Sequence, residues 1–74
     1  MSYIDCYNYT VFSKDELIIN ELKEMQEDNK ISVNWFNFRE GDIYYSNNGT
    51  EYYVVYIDHT NKSLELSKDI KDLL

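Results

Sequence analysis

The sequence predicts an α+β fold. We expect a single small domain over residues 1–74, with an antiparallel sheet of about 4–5 strands and one main helix packed on one face. Three observations carry that expectation. Asn48-Gly49 lies between two runs rich in Tyr, Val and Ile; an Asn-Gly pair between β-favouring runs signals a hairpin, because both residues tolerate the left-handed backbone of a tight turn. Ser13-Lys14-Asp15-Glu16 is a capping box followed by apolar residues at helical spacing. Residues 30–38 alternate Ile31, Val33 and Trp35 against Phe36 and Phe38, as a strand does.

Taken in order, the elements read β-α-β-β-β-(β)-α. Residues 3–12 hold Tyr3, Ile4, Tyr7, Tyr9, Val11 and Phe12, and predict one strand with neither face cleanly apolar. Ser13 and Glu16 then exchange caps, Phe12 and Leu17 stand where a hydrophobic staple forms, and a helix is expected over residues 14–28. Its inner face is Ile18, Ile19, Leu22 and Met25. A second strand spans residues 30–38, and Arg39-Glu40-Gly41 suits a three-residue loop with Gly41 in the left-handed position.

A two-residue turn at Asn48-Gly49 places Tyr45 opposite Tyr52, Tyr44 opposite Tyr53 and Ile43 opposite Val54. The face expected beneath the helix then carries Ile31, Val33, Trp35, Ile43, Tyr45, Tyr52, Val54 and Tyr56, while Phe36, Phe38, Tyr44, Tyr53, Val55 and Ile57 fall on the other. A slip of one residue would exchange the faces. Residues 63–66 alternate Leu64 and Leu66 with Glu65 as a short further strand. Ser67 caps a last short helix with an apolar stripe of Ile70, Leu73 and Leu74.

Composition narrows the function classes. With 14 acidic residues against 7 basic ones the net charge is −7, which opposes binding to phosphate backbones and favours a protein partner with a basic surface. Direct nucleic-acid binding is therefore not expected. Cys6 is the sole cysteine, which excludes an internal disulfide and suits a reducing compartment. No apolar run approaches the roughly 20 residues of a membrane span, and no signal-peptide pattern opens the chain, so a cytoplasmic protein without membrane contact is expected.

No catalytic, cofactor or metal motif is legible. Asp58-His59 is an acid–base pair on paper, but no motif sets a nucleophile beside it and His59 reads as a solvated turn residue. The acidic residues offer no recognisable metal-ligand spacing. We therefore expect no enzyme activity, no cofactor and no bound metal.

Two surfaces remain as candidate partner-binding sites. On a helix turning about 100° per residue, Glu16, Glu21, Glu24, Glu27 and Asp28 fall opposite Ile18, Leu22 and Met25. Glu21, Glu24 and Asp28 form a row that can present carboxylates, about 4.5–6 Å apart along the axis, to groups that hold phosphates. The second is an aromatic row of Phe36, Tyr44 and Tyr53 across three strands, suited to protein contact.

In composition, being short, acidic and aromatic-rich with no catalytic motif, the chain is similar to small inhibitors encoded by bacteriophages and mobile elements, including DNA mimics and anti-CRISPR or anti-restriction proteins. The similarity lies in composition and assigns no residue. It implies an inhibitor that occludes a nucleic-acid-binding enzyme or complex in the host cytoplasm. Two alternatives stay open: a homodimer or larger oligomer joined through the aromatic sheet face or the terminal helix, and a small-ligand or single-stranded nucleic-acid binder using surface tyrosines.

Overall fold

The computed structural model describes residues 1–28 and 32–73. The chain forms β1 (Ser2–Cys6), β2 (Tyr9–Ser13), α1 (Glu16–Asp28), a 3₁₀ turn (Trp35–Asn37), β3 (Ile43–Tyr45), β4 (Glu51–Asp58), β5 (Ser63–Ser67) and a second 3₁₀ turn (Ile70–Asp72). The α+β class and the helix packed on one sheet face stand. The sheet, however, is mixed rather than antiparallel: its five strands run in the order β1-β2-β5-β4-β3. The C-terminal strand β5 inserts at the centre, parallel to β2 and antiparallel to β4.

The run at residues 3–12 is two strands. Tyr7 and Asn8 adopt φ of 50° and 71° and make a two-residue turn, so that Cys6 pairs with Tyr9 and Ile4 with Val11. This turn explains the muddled faces. Inward positions are even-numbered before it (Ile4, Cys6) and odd-numbered after it (Tyr9, Val11, Ser13).

The cap of α1 lies two residues later than the box motif suggests. Asp15 is the capping side chain, its Oδ1 accepting from the Leu17 amide at 3.0 Å. The buried Ser13 hydroxyl accepts from the Asp15 amide at 3.0 Å and donates to the Leu66 carbonyl at 2.8 Å. Ser13 thereby joins β2, β5 and the entry to α1. No staple forms, since Leu17 is 70% exposed.

Residues 32–38 are not a strand; Asn29, Lys30 and Ile31 lie outside the described residues. A strand would have sent Trp35 and Phe38 to opposite faces. A 3₁₀ turn, with three residues per turn, puts positions i and i+3 on one side, and the two rings meet at 5.3 Å. Trp35 is buried as expected and donates from its indole nitrogen to the Cys6 carbonyl at 3.2 Å.

The β3–β4 hairpin forms, but in a register one residue away. Ile43 pairs with Tyr53, Tyr44 with Tyr52 and Tyr45 with Glu51. The loop is Asn47-Asn48-Gly49: the Gly49 amide donates to the Ser46 carbonyl, the Ser46 amide donates to Thr50, and Gly49 alone of the three takes positive φ, at 89°. That is a type I turn closed by a glycine bulge rather than the two-residue turn. The Asn48 side chain and the Ser46 hydroxyl both accept the Thr50 amide, which fixes this choice. The slip sends Tyr44 into the core with Tyr52 and Val54, and sends Ile43 and Tyr45 out. A bulge between Val54 and Tyr56 then exchanges the faces again. Ile57, paired with buried Leu64, packs on the core, while Tyr56 stands 44% exposed.

Gly49 gives a direct test of the loop. A Cβ added there meets no atom within 4 Å, so Gly49→Ala adds backbone strain without a clash. The expected cost is about 1–2 kcal/mol, read as a lower urea midpoint with an unchanged slope.

The predicted terminal helix is a single 3₁₀ turn capped by Asp69, which accepts from the Lys71 amide at 2.9 Å. It lies against β4, Ile70 is exposed, and Leu74 is outside the described residues. Among the described residues no apolar helical stripe forms at this end. The core of Val11, Ile18, Leu22, Trp35, Val54, Leu64 and Leu66 fills the space between α1 and one sheet face.

Candidate functional surfaces

The acidic helix face is only partly as expected. Glu24, Glu27 and Asp28 are exposed along the outer, C-terminal half of α1. Glu21 is half-buried, and its Oε2 accepts from the Asn47 amide at 3.1 Å. It braces the β3–β4 loop against the helix instead of joining the outward row. On the far side of α1, Gln26 accepts from the Tyr7 amide and donates to the Asp5 carbonyl. Side-chain amide and carboxylate thus clamp the helix to both hairpin ends, and the carboxylates beyond them face solvent.

The aromatic row of Phe36, Tyr44 and Tyr53 does not exist as a surface. Tyr44 is in the core, against Trp35 at 5.3 Å, with its hydroxyl 3.8 Å from the Met25 sulfur. Burial, reinforced by the negative charge of Glu21, pushes its phenol up to about 12. Tyr53 points to the sheet face away from α1, as its pairing with Ile43 and Ser67 requires. Phe36, 68% exposed, sits on the 3₁₀ turn with its ring 5.2 Å from that of His59. The physical reasons are the hairpin slip, which moved Tyr44, and the 3₁₀ turn, which removed Phe36 from the sheet.

His59 is not a solvated turn residue. Its Nε2 lies 3.0 Å from the Phe38 carbonyl and its Nδ1 2.6 Å from the Tyr9 hydroxyl. A carbonyl only accepts, so in the neutral ring Nε2 carries the hydrogen and Nδ1 accepts from Tyr9. Both nitrogens are engaged in joining β2 to the segment after the 3₁₀ turn. Asp58 is occupied separately, accepting from the amides of Thr60 and Asn61 and from the Asn61 side chain. Those bonds, led by the Asn61 amide, hold its carboxyl below the usual range. Beside His59 a cleft of about 550 Å³ opens between the Tyr7-Asn8 turn, Trp35, Phe36 and Lys62.

Cys6 is buried, and burial pushes its thiol up to about 11 despite the Trp35 indole nearby; a thiol so protonated is a poor nucleophile. Among the described residues no group of three or more His, Cys, Asp or Glu side chains is placed to hold a metal ion, and no helix is long and apolar enough to cross a membrane.

The sheet face opposite α1 was expected to carry an aromatic row, but the residues that stand on it are different ones. There Tyr3, 65% exposed, stacks on Phe12 with ring centroids 5.6 Å apart. Tyr56, Tyr45 and Ile43 are exposed on the same face. The terminal 3₁₀ turn covers one part of it, where the Ser67 hydroxyl donates to the Asp72 carboxylate at 2.6 Å. A parity switch at Tyr7-Asn8 was the available signal.

The chain matches no protein-family model, and comparison with curated proteins and with solved structures gives no match.

Proposed function

We propose that this protein is a non-enzymatic binding protein that occludes a basic surface of a partner protein, with a nucleic-acid-binding enzyme or complex as the partner class. The observation that carries the reading is where α1 places its charge. The helix holds Glu16, Glu21, Glu24, Glu27 and Asp28 against Lys23 alone, and its last turn contains no basic residue. Carboxylates at a helix C-terminus oppose the backbone dipole and each cost about 0.3–1 kcal/mol. Stability given up at an exposed site is what a binding surface requires when the partner supplies the compensating charge.

The double variant Glu24→Lys/Glu27→Lys tests this reading, because it predicts opposite changes in two measurements. The melting temperature rises, since lysines suit that end of the dipole. Affinity for a partner captured from cytosolic extract by the wild-type protein falls about ten-fold or more, and wild-type affinity itself falls steeply with ionic strength. Binding indifferent to both salt and charge reversal would falsify the proposal.

A further inference from the structure

The described chain has five half-buried carboxylates: Asp15, Glu21, Asp58, Glu65 and Asp72. Four are engaged. Asp15 accepts from Tyr52 and pairs with Lys68, Glu21 holds the Asn47 amide, Asp58 caps its turn, and Asp72 takes Ser67 and Lys14. Glu65 is the exception, with no hydrogen bond or ion pair among the described residues. It stands at the middle of the central strand β5, on the face away from α1, between buried Leu64 and Leu66, whose side chains point to the core.

The pairing register surrounds it with rings. Tyr3 pairs with Phe12, Phe12 with Glu65, and Glu65 with Tyr56, making one row across β1, β2, β5 and β4. Adjacent strands lie about 4.8 Å apart, so Phe12 and Tyr56 flank the carboxylate on either side. Among the described residues no cationic side chain answers this carboxylate, and glutamate is a poor strand former where valine or threonine would pack between the rings. A cation is what this row lacks.

We propose that the row Phe12–Glu65–Tyr56 is a recognition site for an arginine side chain of a partner protein. The planar guanidinium pairs with the carboxylate through two parallel hydrogen bonds and lies against the aromatic faces, a combination a lysine ammonium does not match. A phosphate-bearing ligand is disfavoured by the same carboxylate. The site deepens the reading of a basic partner and rests on it for the source of the arginine. It lies across the sheet from the carboxylates of α1, so separate variants report on each.

The test is a ¹H–¹⁵N NMR titration of the whole chain with a blocked Gly-Arg-Gly peptide and its Gly-Lys-Gly counterpart. The expected result is shift changes centred on Phe12, Glu65 and Tyr56, with the arginine peptide binding several-fold more tightly. The isosteric Glu65→Gln should weaken it about ten-fold, the loss expected for one charged hydrogen-bonded pair. Tyr56→Leu weakens it as well, whereas Glu24→Lys/Glu27→Lys leaves the shifts at this row in place. Shifts confined to α1, equal response to the lysine peptide, or binding undiminished in Glu65→Gln overturns the site. So does self-association through this face, seen by light scattering without peptide. None of these results depends on the extract partner, whose indifference to helix charge would sink only the earlier reading.

Discussion

Trp35→Ala is expected to remove a large share of the chain's stability, the largest loss of any single truncation in the core. Truncating a buried tryptophan costs about 3–5 kcal/mol, and 74 residues at about 0.05–0.15 kcal/mol each hold only about 4–11 kcal/mol in all. The side chain contacts Phe38 and Tyr44 at 5.3 Å each and fixes the Cys6 carbonyl through its indole nitrogen. Together with the His59–Phe38 contact and the Gly41 and Asp42 backbone bonds to Val54, it ties the described residues between α1 and β3 to the sheet. Trp35→Phe separates the two contributions: most of the ring volume stays, the Cys6 carbonyl loses its donor, and the cost falls to about 1–3 kcal/mol. Urea titrations followed by circular dichroism measure both. A cooperative Trp35→Ala transition near the wild-type midpoint would show that the 3₁₀ turn is peripheral to the core.

Asp15 gives the second large effect and a pH signature. Its carboxylate caps α1, accepts from the buried Tyr52 hydroxyl at 2.9 Å and pairs with Lys68 at 2.9 Å. Asp15→Ala removes the cap and strands the Tyr52 hydroxyl, for a loss of about 2–4 kcal/mol. Asp15→Asn keeps the Oδ1 acceptor for the Leu17 amide but sets an NH2 donor where Oδ2 received the Tyr52 hydroxyl and Lys68, and loses about 1–3 kcal/mol. Lys68 foremost, with the Leu17 and Tyr52 bonds, holds the Asp15 carboxyl below its usual range. A depressed carboxyl contributes stability that is present above the unfolded value, about 3.9, and is lost as pH falls through the folded value. Wild-type stability therefore falls on acidification below about pH 4, and Asp15→Asn falls less. Asp72, held low by Ser67 and Lys14, keeps part of that slope in both proteins. Parallel acid limbs in wild type and Asp15→Asn would remove Asp15 from this account. Tyr52 shifts the other way: burial first, then the Asp15 carboxylate, push its phenol up to about 12.

What could be read beforehand follows from how local each decision is. The apolar spacing of Ile18, Leu22 and Met25 marked α1, and Asn48-Gly49 marked a hairpin, because both signals lie within a few residues. Asn-Gly serves two loop geometries, however, and the choice between them rested on where the Asn48 and Ser46 side chains bond. That one-residue difference decided whether Tyr44 or Tyr45 entered the core. The Tyr7-Asn8 turn was marked only by a change of parity along residues 3–12, because tyrosine is not a turn-former. Of the helix carboxylates, Glu24, Glu27 and Asp28 are exposed as helical periodicity requires. Glu21 was misread because its partner, Asn47, belongs to another element. The Glu65 row was out of reach: it exists only because β5 pairs with β2 across 53 residues of chain (Phe12 to Glu65), and no local pattern encodes a parallel partner.

Inserting β5 between β2 and β4 also sets an order of events during folding. The hairpin of β1 and β2 and the hairpin of β3 and β4 have no strand contact except through residues 63–67. Until those residues dock, two separate ribbons have open edges, one of them fringed with tyrosine. The sheet closes late, through its most sequence-distant contacts, which slows folding. Translation rate and chaperone supply should therefore govern the yield of this protein more strongly than its equilibrium stability suggests.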